Sequence, residues 1–279
     1  MKFRGKLIDG NCIKQFMSIL GCMTKLGKSC VIRITPTHMY FIVRESQTIS
    51  SSPLIWCTLD QAHFFFEYGM EGLSTDDNEI YMEFMAENVI KTLSALKVSS
   101  AAKTVKIKLT KKLASPCLTF EIEMPSGTTG STNFRLVVHD IPVNLVPKRL
   151  WIEYAEPDPV VADISVQLPQ LRLLKSIVDR FKNLANMALV HITSQGHLTL
   201  TVETDSVSVT SHFEDLYVDN HIEDEAKVTI ELKRLSNFLV NEQLNPIRVV
   251  CNVNSRLMHF NFLSDSYSLQ YHLPGIDIE

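Results

Sequence analysis

The chain has 279 residues, a length that exceeds one ordinary hydrophobic core and predicts two domains of similar size. Its 45% hydrophobic and 21% charged residues are typical of a folded soluble protein, and no apolar run reaches the roughly 18 residues that would cross a bilayer. A net charge of −4 argues against nucleic-acid binding when net charge alone is considered.

The charges are segregated along the chain. No Asp or Glu lies between Asp9 and Glu45, and acids concentrate instead at 71–87 and 214–225. Such segregation allows a basic surface on an acidic molecule. The first ten residues carry charges where a secretory signal has an apolar core, and none of the six cysteines forms a Cys-x-x-Cys pair. We therefore expect buried, reduced thiols and a nuclear or cytosolic protein.

The first 139 residues predict strands interrupted by two amphipathic helices. Asp9 is placed to cap a long helix over 11–28, and a short helix is predicted over 86–97. Strands are predicted at 2–8, 30–35, 38–44, 78–84, 104–109, 117–124 and 134–139, and throughout 54–70. Strand alternation in the last of these would bury Phe64 and Phe66. Phe134 and the two tryptophans are also assigned to the core.

Residues 140–161 are predicted to be an interdomain linker. Four prolines in this stretch favour extended backbone and exclude a helix across it. The sequence thus predicts an N-terminal domain of residues 1–139 and a C-terminal domain of residues 162–279.

The pattern of the first domain returns after the linker. A strand at 162–168 precedes a helix at 169–186, in which apolar and polar side chains occupy opposite halves. A short helix is predicted within 226–240, after a strand. Further strands are predicted at 188–193, 197–203, 248–253, 257–263 and 266–272. The sequence therefore predicts an internal duplication and an α+β fold.

Motifs for catalysis are absent from the sequence, which contains no HExxH, GxSxG, Walker or GxGxxG pattern. His139 and Asp140 are adjacent at the end of a predicted strand, where neighbouring side chains point to opposite faces. A turn containing Asp76, Asp77 and Glu79 could hold a metal ion, although a solvated loop is favoured. A small hydrolase that uses His139 or this turn is a minor alternative.

Cations on the polar faces of the predicted helices are the remaining functional feature. If both domains pack their helices on the same side of a sheet, these cations share one surface that contacts phosphates. No Asn or Arg is placed to read base edges, so the contact would be independent of sequence. A solvated helix surface is the alternative. The candidate residues are Lys14, Lys25, Lys28, Arg172, Lys175, Arg180 and Lys182 on the long helices, and Lys91, Lys97, Lys233 and Arg234 on the short ones.

Several stretches along the whole chain resemble a known family. They are the opening MKFRGKLIDG, TKLGKSC, VVHDIPV followed by PKRLW, LLKSIVDRFKN, and SLQYHLP near the C-terminus. With the duplicated strand and helix pattern, they resemble the DNA sliding clamps of the PCNA type. Within that type the chain is most similar to the Hus-type subunit of the heterotrimeric nine-one-one checkpoint clamp. The loops STDDNE and NHIEDEAK depart from the family pattern.

The resemblance implies a PCNA-like clamp fold with antiparallel sheets outside and helices lining one face. It implies a nuclear, non-enzymatic protein without cofactor or membrane association, in a 1:1:1 ring with two Rad-type subunits joined through edge strands. Such a ring encircles double-stranded DNA without sequence preference, is placed by a clamp loader, and recruits repair enzymes and checkpoint activators. Client peptides would bind near the linker and residues 273–274. A homotrimeric replicative processivity clamp is the alternative, and self-association distinguishes the two.

Overall fold

The computed structural model describes residues 1–44, 54–97, 102–112, 114–125 and 134–276, with the side chains of residues 54 and 93–97 outside the description. The chain divides into two compact units. One comprises Met1–Val43 and Cys57–Glu156, and the other centres on Pro157–Glu279.

The first unit is built on antiparallel strands that carry two amphipathic helices. Its strands are β1 (Lys2–Leu7), β2 (Ser29–Ile34), β3 (His38–Arg44), β4 (Leu54–Asp60), β5 (Glu67–Glu71), β6 (Ile80–Met85), β7 (Thr104–Lys112), β8 (Ser115–Pro125) and β9 (Phe134–Leu145). Its helices are α1 (Gly10–Leu26), α2 (Gln61–Phe64) and α3 (Ala86–Lys97), and a 3-10 helix covers Lys148–Tyr154. The strand order is β4-β3-β2-β6-β9-β8-β7-β1-β5.

The second unit has the same plan. Its strands are β10 (Ile164–Gln167), β11 (Met187–Thr193), β12 (Leu198–Glu203), β13 (Ser208–Phe213), β14 (Val218–His221), β15 (Glu225–Glu231), β16 (Arg248–Asn254), β17 (Leu257–Leu263) and β18 (Tyr267–Pro274). Its helices are α4 (Leu171–Phe181) and α5 (Leu232–Phe238), and a 3-10 helix covers Leu239–Leu244. The strand orders are β14-β10-β16-β17-β18 and β13-β12-β11-β15.

The two units repeat one arrangement, and the predicted duplication is confirmed. Apart from the single turn of α2, each unit runs strand, helix, five strands, helix, three strands. The pairing repeats as well, because β1 lies between β5 and β7 as β10 lies between β14 and β16. Likewise β2 lies between β3 and β6 as β11 lies between β12 and β15.

Helix α1 begins and ends close to its predicted limits because its start is encoded locally. The carboxylate of Asp9 accepts hydrogen bonds from the backbone N–H groups of Asn11 and Cys12, each over 2.9 Å. Helix α4 ends at Phe181, earlier than predicted, and the next residues form turns. Among the described residues no helix is both long and apolar enough to cross a bilayer.

The aromatic core of the first unit corrects one prediction. Phe64 and Phe65 are buried and meet Phe16 of α1 edge-on at 6.2 and 5.8 Å, whereas Phe66 is 67% exposed. The expected burial of Phe66 was wrong because the helical turn of α2 replaces strand alternation at this point. Phe134, predicted to be core, is 51% exposed because it begins β9.

The predicted linker begins inside a strand. β9 continues to Leu145 because its last residues leave β8 and pair with β6, with Val143 opposite Phe84 and Leu145 opposite Met82. Pro142, one of the four linker prolines, lies where the pairing changes partner. The 3-10 helix Lys148–Tyr154 follows, so the predicted linker 140–161 contains regular structure over much of its length.

Candidate nucleic-acid interface

Each unit carries two helices that pack against one another, α1 with α3 and α4 with α5. The buried side of α1 is formed by Ile13, Phe16, Leu20 and Met23. The opposite side of the helix is left for polar residues, as its amphipathic spacing requires. The candidate cations of each unit therefore lie on a helix pair or, for Lys28 and Lys182, just beyond the end of its long helix. The two pairs differ in how these cations are engaged.

The first unit presents lysines without counter-ions. Lys14, Lys25 and Lys28 are exposed, and within the described part of the chain the side chain of none of them forms a hydrogen bond or an ion pair. This agrees with the absence of acids from residues 10–44. Lys91 of α3 is exposed as well, while the side chain of Lys97 lies outside the described residues.

Three cations of the second unit project into solvent. The side chain of Arg172 is 92% exposed, with Glu242 at the outer limit of ion pairing, 3.9 Å away. Arg180 and Lys233 are exposed on α4 and α5. These three side chains have the freedom to meet a phosphate.

Lys175 and Lys182 are held by Asp179, which lies between them on α4. Lys175 pairs with one carboxylate oxygen of Asp179, and Lys182 donates to the other over 2.8 Å. The hydroxyl of Ser236 on α5 donates to Asp179 over 2.6 Å and accepts from Lys182 over 3.0 Å. This group, here called the Asp179 hub, joins the two helices of the unit through Lys175, Asp179, Lys182 and Ser236.

The hub keeps Asp179 ionised. Burial alone would raise the pKa of Asp179, but hydrogen bonds from Lys175, Lys182 and Ser236 outweigh it and hold the pKa well below its ordinary value. The carboxylate is therefore a permanent negative charge among the candidate cations. On α5, Arg234 is engaged similarly, since its Nε lies 2.7 Å from a carboxylate oxygen of Glu231.

The Asp179 hub was not among the sequence predictions. Lys175 lies four residues before Asp179 and Lys182 three residues after it, and these spacings were a signal for local pairing. Ser236 could not be found from the sequence, because it lies 57 residues away from Asp179. The apolar half of α4 was also drawn too wide, since Leu173 is 52% exposed, and Leu184, equally exposed, lies beyond the end of the helix.

The candidate catalytic residues are not brought together. His139 lies opposite buried Phe120, whereas Asp140 lies opposite Thr119, which donates to its carboxylate over 2.5 Å. Asp77 pairs with Lys148, and Glu79 pairs with Arg33. Among the described residues no group of three or more His, Cys, Asp or Glu is arranged to hold a metal ion. All six cysteines are free, and all but Cys12 are buried.

Several strands present an edge at the end of a sheet in the described part of the chain, β5, β13, β14 and β15 among them, and the first part of β9 is also unpaired on one side. In the described part of the chain, residues 134–141 of β9 pair only with β8, and β13 pairs only with β12. Phe134, Leu136 and Val138 alternate along the β9 edge and are each about half exposed. An unpaired edge with an exposed apolar row is suited to accept a strand from another chain.

Comparison with known proteins agrees with this arrangement. The Hus1-like protein family matches residues 1–277. The chain is 39% identical to the human "Checkpoint protein HUS1" over 287 aligned positions, covering 99% of this chain and all of that protein. It is 32% identical to the Drosophila melanogaster "Checkpoint protein Hus1-like" over 251 positions, covering 88% of this chain and 89% of that one.

The structural comparison identifies the fold. The crystal structure of proliferating cellular nuclear antigen from Entamoeba histolytica superposes with a TM-score of 0.74 at 12% sequence identity, covering 99% of each chain. The predicted PCNA-like α+β clamp fold is therefore confirmed.

Proposed function

The chain belongs to the Hus1-like family and is a subunit of a checkpoint clamp, and from this premise we propose that it completes a heterotrimeric ring around DNA. The ring contains this chain and two Rad-type subunits in a 1:1:1 ratio, joined head to tail. A clamp loader places it on double-stranded DNA at damaged sites or stalled forks. There it supports checkpoint kinase signalling and recruits or stimulates repair enzymes. The chain acts in the nucleus and supplies no catalytic group or cofactor.

The unpaired edges of β9 and β13 carry the ring proposal. A chain with a free edge on β9 in one unit and on β13 in the other can pair β9 with one neighbour and β13 with the other, which is the heterologous contact that closes a ring. The exposed apolar row of β9 supplies surface to be buried in that contact.

The helix cations support the DNA proposal. Lys14, Lys25, Lys28, Arg172 and Arg180 are exposed and contact phosphates without reading base sequence. The net charge of −4 does not oppose this, because no Asp or Glu lies between Asp9 and Glu45, the stretch that contains the three lysines. A homotrimeric replicative clamp would share these features, but the relatives that match over most of this chain are named as checkpoint proteins.

Solution mass tests the ring first. The full chain is measured alone and after co-expression with the two Rad-type subunits. A monomer that enters a 1:1:1 complex supports the proposal. A stable homotrimer would instead support a replicative clamp. A monomer that binds neither partner would contradict the ring.

Salt dependence tests the role of α1 in the assembled ring. Replacing Lys14, Lys25 and Lys28 by Ala should flatten the dependence of duplex affinity on salt, by about 0.9 in the log–log slope for each phosphate that is no longer neutralised. An unchanged slope would contradict the assignment of α1 to the DNA-facing surface.

A further inference from the structure

The two helix pairs differ in how their cations are engaged. The first unit offers Lys14, Lys25 and Lys28 without counter-ions among the described residues. In the second unit the carboxylate of Asp179 lies between two candidate cations, Lys175 and Lys182, and pairs with both. The two units thus share one order of strands and helices but differ in the pairing of the cations on their long helices.

We infer that Asp179 is an internal competitor for phosphate, which restrains the contact of α4 with the DNA backbone by holding Lys175 and Lys182. The inference rests on the proposed function, because it concerns the same helix surface. It assigns Asp179 a positioning role: the carboxylate sets where the two ammonium groups lie and how much charge they present.

The geometry of the hub supports competition. Each of the two carboxylate oxygens of Asp179 takes one lysine, so the carboxylate occupies the place between Lys175 and Lys182 that a phosphate oxygen would take. The side chains of these lysines are only 24% and 38% exposed, against 92% for Arg172. A phosphate that approaches them meets a fixed negative charge at hydrogen-bond distance from both.

Ser236 makes the arrangement persistent. Its hydroxyl is buried and bonds both Asp179 and Lys182, so the pairing is held from α5 as well as along α4. An ordinary exposed pair on one helix would exchange readily with an incoming phosphate. The third partner, on a second helix, reduces that freedom.

As a consequence, the two units contribute unequally to binding of the DNA backbone. Lys14, Lys25 and Lys28 of the first unit bind phosphates without a competing carboxylate among the described residues, whereas α4 contributes chiefly through Arg172 and Arg180. Weak binding on one side lowers the affinity of the ring for any fixed position, which suits a protein that must move along the duplex.

The test uses the assembled ring and a linear duplex, with affinity measured by fluorescence anisotropy over a series of salt concentrations. Asp179→Asn keeps the shape of the side chain and removes its charge. We expect the log–log slope to become steeper by about 0.9 for each phosphate that Lys175 or Lys182 becomes free to neutralise. The matched control is Asp205→Asn, which changes the net charge equally in the turn between β12 and β13.

A second measurement compares single lysine variants in the presence and in the absence of the Asp179 charge. In the wild-type background, Lys175→Ala should flatten the slope less than Lys14→Ala does. In the Asp179→Asn background, Lys175→Ala and Lys14→Ala should have equal effects. Ser236→Ala tests the contribution of the contact with α5 separately. It removes the hydroxyl that bonds Asp179 and Lys182 and leaves the charges of Lys175, Asp179 and Lys182 in place.

The outcomes separate this inference from the proposed function. A slope that steepens with Asp179→Asn and stays unchanged with Asp205→Asn supports the inference. Equal slopes for the two variants, or a shallower slope with Asp179→Asn, overturn the inference. If Lys14→Ala still flattens the slope in that case, the proposed function stands. If Lys14→Ala also has no effect, the DNA-facing assignment fails and the inference fails with it.

Discussion

The indole ring of Trp151 stacks on the phenol ring of Tyr81, with ring centroids 4.6 Å apart and planes inclined by 24°. The indole N–H also donates to the carbonyl of Val146 over 2.9 Å. Lys148, in the same 3-10 helix, pairs with Asp77 over 2.5 Å. These contacts hold residues 148–154, which follow β9, against β6. This segment therefore belongs to the first unit.

The first prediction is that Trp151→Ala loosens this segment. The variant loses the stacking, the hydrogen bond and the area that the ring buries, and the free energy of unfolding should fall by about 2 kcal/mol. The loss lies below that expected for a fully buried tryptophan because Trp151 is half-buried. Urea denaturation followed by circular dichroism measures it.

The control for this prediction is Trp151→Phe. It keeps an aromatic ring against Tyr81 and loses the N–H donor, so it should cost about 1 kcal/mol. If the Phe variant is as unstable as the Ala variant, stacking on Tyr81 is not what holds the segment.

The first unit shows which features could be predicted from the sequence and which could not. The start of α1 was predictable because Asp9 and the N–H groups that it caps are neighbours in the chain. The duplication was predictable because periodicity is a local pattern. The pairing of Val143 with Phe84 was not, since Pro142 indicates a break when only neighbours are considered. The DNA-facing assignments stay predictions, because contact with a phosphate depends on a second molecule as well as on this chain.

The second prediction concerns the paired guanidinium and carboxylate of Arg33 and Glu79, which form two hydrogen bonds of 2.9 and 2.8 Å. Burial would raise the pKa of Glu79, but hydrogen bonds from Arg33 and Tyr81 outweigh it and lower the pKa. Below the ordinary value of about 4.3 the unfolded chain therefore binds the proton first. The stability that this pair contributes is present above that pH and is lost as pH falls through the folded pKa.

Glu79→Gln should remove that contribution. We expect the variant to lose about 2 kcal/mol of unfolding free energy at neutral pH, and the difference from the wild type to shrink as pH falls below about 4. Arg33→Lys is the companion variant, because it keeps the charge and loses the paired geometry. A difference between wild type and Glu79→Gln that does not change with pH would contradict the assignment.

The third prediction concerns His259, which is buried on β17 against His272, with ring centroids 4.4 Å apart. Burial lowers the pKa of His259 to about 4, and the neighbouring charge of His272 acts in the same direction. The folded chain thus keeps His259 neutral where the unfolded chain, with a pKa of about 6.5, is protonated. Stability should therefore be full above pH of about 6.5 and fall as pH drops towards 4.

His259→Gln removes this titration and keeps a polar group opposite Asn252, whose amide lies 2.9 Å from the imidazole. The wild type should lose on the order of 3 kcal/mol more than the variant between those pH values. The unfolding free energy at several pH values measures this, with the exposed His221→Gln as control. Equal pH dependence in the wild type and His259→Gln would show that another group is responsible.

The fourth prediction concerns the edge of β9, where Leu136 is 60% exposed and lies opposite Glu123 of β8. If a neighbouring subunit pairs with this edge, Leu136→Asp places an unpaired charge in the interface and adds a second acid beside Glu123. The dissociation constant of the ring should rise by at least about tenfold, because a desolvated charge without a partner costs several kcal/mol. Sedimentation of the co-expressed subunits measures the loss of the ternary complex.

The control is Leu73→Asp, the same change at a residue that is 50% exposed in the turn after β5 and lies outside the strands. Both variants should keep the circular dichroism spectrum and unfolding midpoint of the isolated chain, since neither side chain is buried within it. Only Leu136→Asp should then release the chain from the ring. Complexes of equal stability for both variants would show that the β9 edge stays free in the assembly, and the ring would have to close through another strand.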